Sequence, residues 1–152
     1  MAWGQIEPNI KGTHLMSLSR FTVYTPVMRG ILRIVSGALF FAHGLQKFAG
    51  FPPGEMAGAG LTFSSAGAFA GVIELIAGFL IMIGLWTRPA AFIASGTMAF
   101  AYFIGHAPQN FFPVNNGGDA AILYCFLFLY FVFAGGGAWG IDYARDKNRF
   151  RR

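Results

Sequence analysis

Residues 66–85 read AGAFAGVIELIAGFLIMIGL, and the glutamate near the middle of that stretch, Glu74, decides how the chain must fold. Its neighbours there are glycine, alanine and large apolar residues, with no second charge. A helix of this length spans roughly 30 Å, the thickness of a bilayer's hydrocarbon core. A carboxylate facing acyl chains in that layer is costly, so Glu74 must face protein, water or a bound partner.

The rest of the chain is of the same kind. Of its 152 residues 55% are hydrophobic and 11% charged, against about 25% charged in an ordinary soluble domain. The 18 phenylalanines and 21 glycines agree, because glycine is commoner in membrane helices than in soluble ones. Spans are expected at about 27–48, 66–86, 89–106 and 119–135, the last two short. Pro26 and Pro89 suit first helical turns, where a missing N–H is harmless. Gly135, Gly136 and Gly137 stop the last helix. The expected fold is an all-α membrane protein, a four-transmembrane-helix antiparallel bundle. Its domain covers residues 26–143, after an N-terminal extension (1–25) and before a basic tail (144–152). Residues 1–25 lack the apolar block of a cleavable signal, so the first span is expected to act as an uncleaved anchor. Met16 is an alternative start.

Charge sets the expected topology. Lys11, Arg20, Arg29 and Arg33 precede or open span one, Arg88 lies between spans two and three, and five cations follow span four. Lys47 alone belongs to the other side. The positive-inside rule then makes both termini cytoplasmic. Trp86 and Trp139 fall at that same side, at headgroup level. Because the cations sit at helix ends and turns, the net charge of +5 reports orientation and contact with anionic lipid, with no nucleic-acid partner expected.

Several chemistries are excluded. A single cysteine, Cys125, forbids an internal disulfide or a Cys-x-x-Cys centre, and it reads as a small buried hydrophobe. No His-x-x-x-His, Glu-x-x-His or cysteine cluster offers a metal site. Nucleophilic triads and phosphate-cradling loops are missing as well.

What remains is a polar constellation in the outer half of the bundle. Gly67, Gly71, Glu74 and Gly78 share one face of span two, and Gly30, Gly37 and Gly44 recur every seven residues in span one. Such stripes let helices approach closely, which turns Glu74 into the bundle. By residue count Glu74 lies roughly 12 Å below the outer boundary and His43 roughly 7 Å. Lys47, four residues beyond His43, projects from the same face. His106 ends span three nearby, where it can serve as a helix cap, and Asp119 opens span four. Gln46, Asn110, Asn115 and Asn116 add donors and acceptors. The two outer loops carry turn chemistry without helical periodicity, and their aromatic residues suggest folding over the mouth of the bundle. Three arrangements satisfy Glu74: an ion pair with His43 or Lys47, a protonated carboxyl, or a hydrogen bond to a ligand from the outer face. A buried clamp fixing helix register is the structural alternative.

The ordered pieces Phe40-Phe41-Ala42-His43-Gly44, Gly71-Val72-Ile73-Glu74-Leu75, Gly84-Leu85-Trp86-Thr87-Arg88-Pro89, Asn116-Gly117-Gly118 and Trp139-Gly140-Ile141-Asp142 resemble the DoxX family of bacterial four-span membrane proteins. The resemblance runs from about Arg29 to Tyr143. It implies an inner-membrane protein associated with redox complexes, one branch being similar to the membrane subunit of thiosulfate:quinone oxidoreductase. Carried over by position, His43, Lys47, Glu74 and His106 match the family's polar positions. Relatives often have an acidic residue second after Asn-Gly-Gly, whereas here Asp119 comes first and Ala120 second. The expected function is therefore a subunit of a quinone-linked membrane complex. Glu74 and His43 would transfer protons, and Lys47, His106, Gln46, Asn116 and Asp119 would bind the ligand. The alternative is a non-catalytic structural or assembly subunit. Quinone is the one cofactor envisaged, and other membrane subunits or further copies of the chain are the envisaged partners.

Overall fold

A computed structural model describes residues 20–55, 57–58 and 66–149. Most of the expected N-terminal extension, with Lys11 and Met16, lies outside these residues, as do part of the first loop and residues 150–152. The elements are α1 (Thr25–Ala49), α2 (Ala66–Ile83), α3 (Thr87–Ala101), a π-helical turn (Tyr102–His106), α4 (Pro113–Asn116), α5 (Asp119–Ala134) and α6 (Ile141–Arg149). No strand occurs among the described residues. The helical class is as expected, and α1 and α2 are long and apolar enough to cross a membrane. The 16 residues of α5 are apolar but reach only ~24 Å.

The helix ends follow the chain's punctuation. Proline occupies the first turn of α1, and Gly50, left-handed at φ 67°, closes it. Gly135, at φ 73°, ends α5 as its position suggests. Helix α3 begins two residues earlier than expected, because Asp142 caps it from outside. One carboxylate oxygen of Asp142 accepts from the Trp86 N–H at 3.0 Å and the other from Thr87 N–H at 2.8 Å. The expected boundary between residues 143 and 144 falls inside α6.

Packing is by small residues. A Cβ on Gly37 would lie 2.5 Å from the backbone nitrogen of Met82, and one on Gly78 would lie 2.6 Å from that of Phe41. One on Gly44 would meet Leu75. The pairing of 37 with 78–82 and 44 with 71–75 makes α1 and α2 antiparallel. Gly30 instead meets Ala138, beyond α5. The α3–α5 contact is also antiparallel, tied by the Ser95 hydroxyl donating to the Cys125 carbonyl at 2.8 Å and by Arg88 donating to the Val132 carbonyl. Alanines 77, 90, 91 and 94 are buried with Phe40, Ile81, Phe128 and Phe131, while Phe69, Phe92, Phe100, Phe126 and Phe133 lie exposed. Small residues inside and large apolar ones outside suit an apolar solvent, where association rests on close packing.

One end of the bundle is organised by Arg33, which is wholly buried. Its guanidinium donates to the carbonyls of Ile81 (2.8 Å), Met82 (2.5 Å), Gly136 (2.9 Å) and Ala138 (3.2 Å). It thereby satisfies the C-terminal carbonyls of α2 and those of the glycine stretch after α5. The Ala138 N–H reaches the Pro26 carbonyl at 2.7 Å, so the start of α1 and the end of α5 meet. Arg33 reads in the sequence as a boundary charge, yet it sits two turns inside α1 as a structural hub.

The glycine contacts are directly testable. Gly37→Ala should lower stability by about 1–3 kcal/mol, since backbone rather than a flexible side chain blocks the methyl. Gly96 is open to alanine, with no heavy atom within 4 Å of where a methyl would sit apart from its own helix backbone. It should accept alanine with no loss or a small gain. Unfolding of the two variants in detergent, followed by circular dichroism, checks the contrast.

Candidate functional site

The site is built where α1 and α2 diverge from their glycine contact. Gly71 leaves room for the stem of Lys47, whose Cδ lies 3.1 Å from where a Cβ would be. The lysine crosses α2 at that point and reaches the next turn, placing Nζ 2.7 Å from Oε1 of Glu74. Glu74 is 4% exposed. Of the arrangements open to it, the structure realises the ion pair with Lys47. Its other oxygen, Oε2, is buried without a hydrogen-bond partner. A buried carboxylate with half its acceptor capacity unused is incompletely solvated.

Glu74 and Lys47 line a cavity of about 530 Å³ between α2 and α3. Ile73, Phe100 and Ile104 form much of its apolar wall, with Thr97 and His106 adding polar groups. Phe100 and Ile104 are largely exposed on the outer surface of the helices, so the cavity opens sideways. Its size falls in the range of small-molecule sites.

His106 is set by the π-helical turn, in which Ala107 N–H bonds back to Tyr102 at 2.8 Å. This wider turn shifts the helical phase just where α3 ends, a distortion common at functional sites. The Nδ1 atom of His106 lies 2.9 Å from the Asn116 carbonyl. A carbonyl can only accept, so Nδ1 carries hydrogen, and Nε2 is the ring nitrogen left outside that bond. Asn116 is buried, donates to the Asn110 carbonyl at 2.8 Å and accepts from Gly118 N–H at 2.8 Å.

The remaining expected site residues are placed elsewhere. His43 is exposed on the side of α1 toward α5, its ring 6.3 Å from that of Tyr124, and it does not line the α2–α3 cavity. Residues 43 and 47 are one turn apart, but it is the position of 47 that falls over Gly71. Gln46 donates to the Pro52 carbonyl at 3.1 Å and so fastens the first loop. Asp119 is exposed at the start of α5, favourable for the helix dipole and away from the cavity. Asn116 holds His106 through its backbone. The second loop contains the short helix α4, contrary to the expected absence of helix. Phe111 and Phe112 are exposed, and the Asn110–Asn116–His106 hydrogen bonds fold the loop. Thr97, Phe100 and Ile104 line the cavity although nothing in the sequence pattern had singled them out. Their spacing of three and four residues on one helix face was the available signal. Among the described residues no His, Cys, Asp and Glu cluster is arranged to hold a metal.

Comparison with known proteins supports the expected resemblance. The DoxX family model matches residues 29–107. A Haemophilus influenzae protein named "Uncharacterized protein" is 46% identical over 122 residues, covering 78% of this chain and 91% of its own. A Bacillus subtilis protein named "Putative oxidoreductase CatD" is 41% identical over 64 residues, 38% of this chain and 44% of its own. No solved structure matches.

The ion pair predicts an asymmetric mutational response. Lys47→Met deprives buried Glu74 of its counter-charge, so that the acid must take up a proton to stay inside, and should cost about 3 kcal/mol. Glu74→Met leaves a lysine near its helix end that can extend toward water, and should cost less. Lys47→Met combined with Glu74→Met should recover most of the loss, as read from a double-mutant cycle of unfolding in detergent.

Proposed function

This chain belongs to the DoxX family, and on that footing we propose that it is a membrane subunit of a quinone-linked redox complex, with the α2–α3 cavity as its quinone site. The observation that carries the proposal is the buried, half-satisfied carboxylate of Glu74 at the head of an apolar cavity that opens on the side of the bundle. An amphiphile with a polar ring and a long hydrocarbon tail suits that shape. Its head would lie among Glu74, Lys47 and His106, and its tail would leave past Phe100 and Ile104. The name of the Bacillus subtilis relative points toward oxidoreduction.

The residues supply positioning and proton handling. Lys47 holds Glu74 in one orientation through Oε1, which leaves Oε2 to accept a hydrogen bond or a proton. Asn116 holds His106 through Nδ1, which leaves Nε2 as the ring nitrogen available to a ligand. The apolar wall keeps bulk water from the head of the site. A bound quinone would supply the electron chemistry, exchanged with a partner subunit, since one cysteine gives this chain no dithiol centre of its own. In this reading α1, α2, α3 and α5 all cross the bacterial inner membrane. The arginine-rich end lies at the cytoplasmic face, and the Glu74 end lies toward the periplasm.

Chain purified in mild detergent should carry quinone detectable by extraction and chromatography. Glu74→Gln should lower its content about tenfold, a change worth about one charge-assisted hydrogen bond. Unchanged quinone content in a folded Glu74→Gln variant would contradict the proposal.

A further inference from the structure

The opposite end of the bundle holds a second cavity, of about 480 Å³, walled by Arg29, Arg88, Arg145, Thr87 and the glycines 135–137. Two of these arginines are fixed by the end of α5. Arg29 donates through Nη1 to the Ala134 carbonyl, and Arg88 through Nη1 to Val132 at 2.9 Å. Each guanidinium has five N–H groups, so anchoring leaves a surplus of donors around the cavity. Arg29 Nε is buried with no acceptor, and so is the hydroxyl of Thr87, a residue 1% exposed. Of the carboxylates at this cavity, Asp142 is engaged by the N–H groups of Trp86 and Thr87, and Asp146 is exposed on α6. Donors outnumber acceptors in a partly enclosed, positive pocket, which is the chemistry of a phosphate site.

An apolar track leaves this pocket. Arg29 also lines a groove of about 350 Å³ with Met28, Leu32 and Tyr130. Leu32 in turn borders a further groove of about 340 Å³, running between Val35 and Leu39 of α1 and Leu123 and Leu127 of α5. Trp86 and Trp139, both mostly exposed, mark this end as the headgroup level. A basic pocket joined to an apolar channel along two helices fits one class of molecule. We infer that this end of the bundle is a binding site for an anionic phospholipid, with the phosphate among Arg29, Arg88 and Arg145 and an acyl chain lying between α1 and α5. The site is separate from the Glu74 cavity.

Native mass spectrometry of the full-length chain in mild detergent, titrated with dioleoylphosphatidylglycerol or dioleoylphosphatidylcholine, tests this. The first phosphatidylglycerol should bind about tenfold more tightly than phosphatidylcholine. Arg88→Gln and Arg145→Gln should each remove most of that preference. Arg145 is exposed, so its variant remains informative if Arg88→Gln does not fold. Lys147→Gln, an exposed cation on α6 that does not line the pocket, should leave the preference intact. Equal affinity for the two lipids, or an equal loss in Lys147→Gln, overturns the site in favour of diffuse charge attraction. Displacement of phosphatidylglycerol by an equal concentration of inorganic phosphate would overturn the lipid assignment and identify a free-phosphate site.

Discussion

Everything in this bundle depends on how closely α1 approaches α2. Gly37 and Gly78 bring the two backbones into van der Waals contact, and Gly44 and Gly71 continue that contact toward the loop end. In an apolar solvent there is little hydrophobic drive to hold helices together, so such packing must be reinforced by polar bonds. The chain places one reinforcement at each end of the glycine seam. Arg33 binds carbonyls at one end, and Lys47 reaches Glu74 at the other.

The two reinforcements are not equivalent. Arg33 binds four carbonyls, two at the end of α2 and two in the stretch after α5, and each of its three nitrogens has a partner. That is a structural arrangement, with Asp142 closing the same end by capping α3. At the other end Glu74 has one oxygen engaged and one orphaned beside a cavity. The Lys47–Glu74 pair also clamps α1 to α2, but a clamp alone does not require an unbonded Oε2 or a histidine held in one tautomer nearby.

Much of this is legible in the residues alone. A lone acid in an apolar run, flanked by glycines three and four residues away, can point only into a helix contact, and it does. Lys47 is legible as its partner from reach and side, though His43 is an equal candidate there; only the position of Gly71 under the lysine stem separates them. The role of Arg33 is hidden because a cation near a span's start reads as an orientation signal. Its buried position depends on residues 136–138 folding back over a hundred positions later. The π-turn that sets His106 has no local signature in Tyr102–His106, since it follows from tertiary fit rather than propensity. Gln46 groups with the site by depth alone, whereas loop geometry claims its side chain.

At the centre stands Glu74 as an ionised carboxylate, held by Lys47 inside the protein. Infrared difference spectroscopy of the chain in bilayers, wild type minus Glu74→Gln, measures that state directly. The band removed by the substitution should be a carboxylate stretch, and Lys47→Met should replace it with the band of a protonated carboxyl. A protonated-carboxyl band already present in the wild type, and indifferent to Lys47→Met, would contradict that assignment.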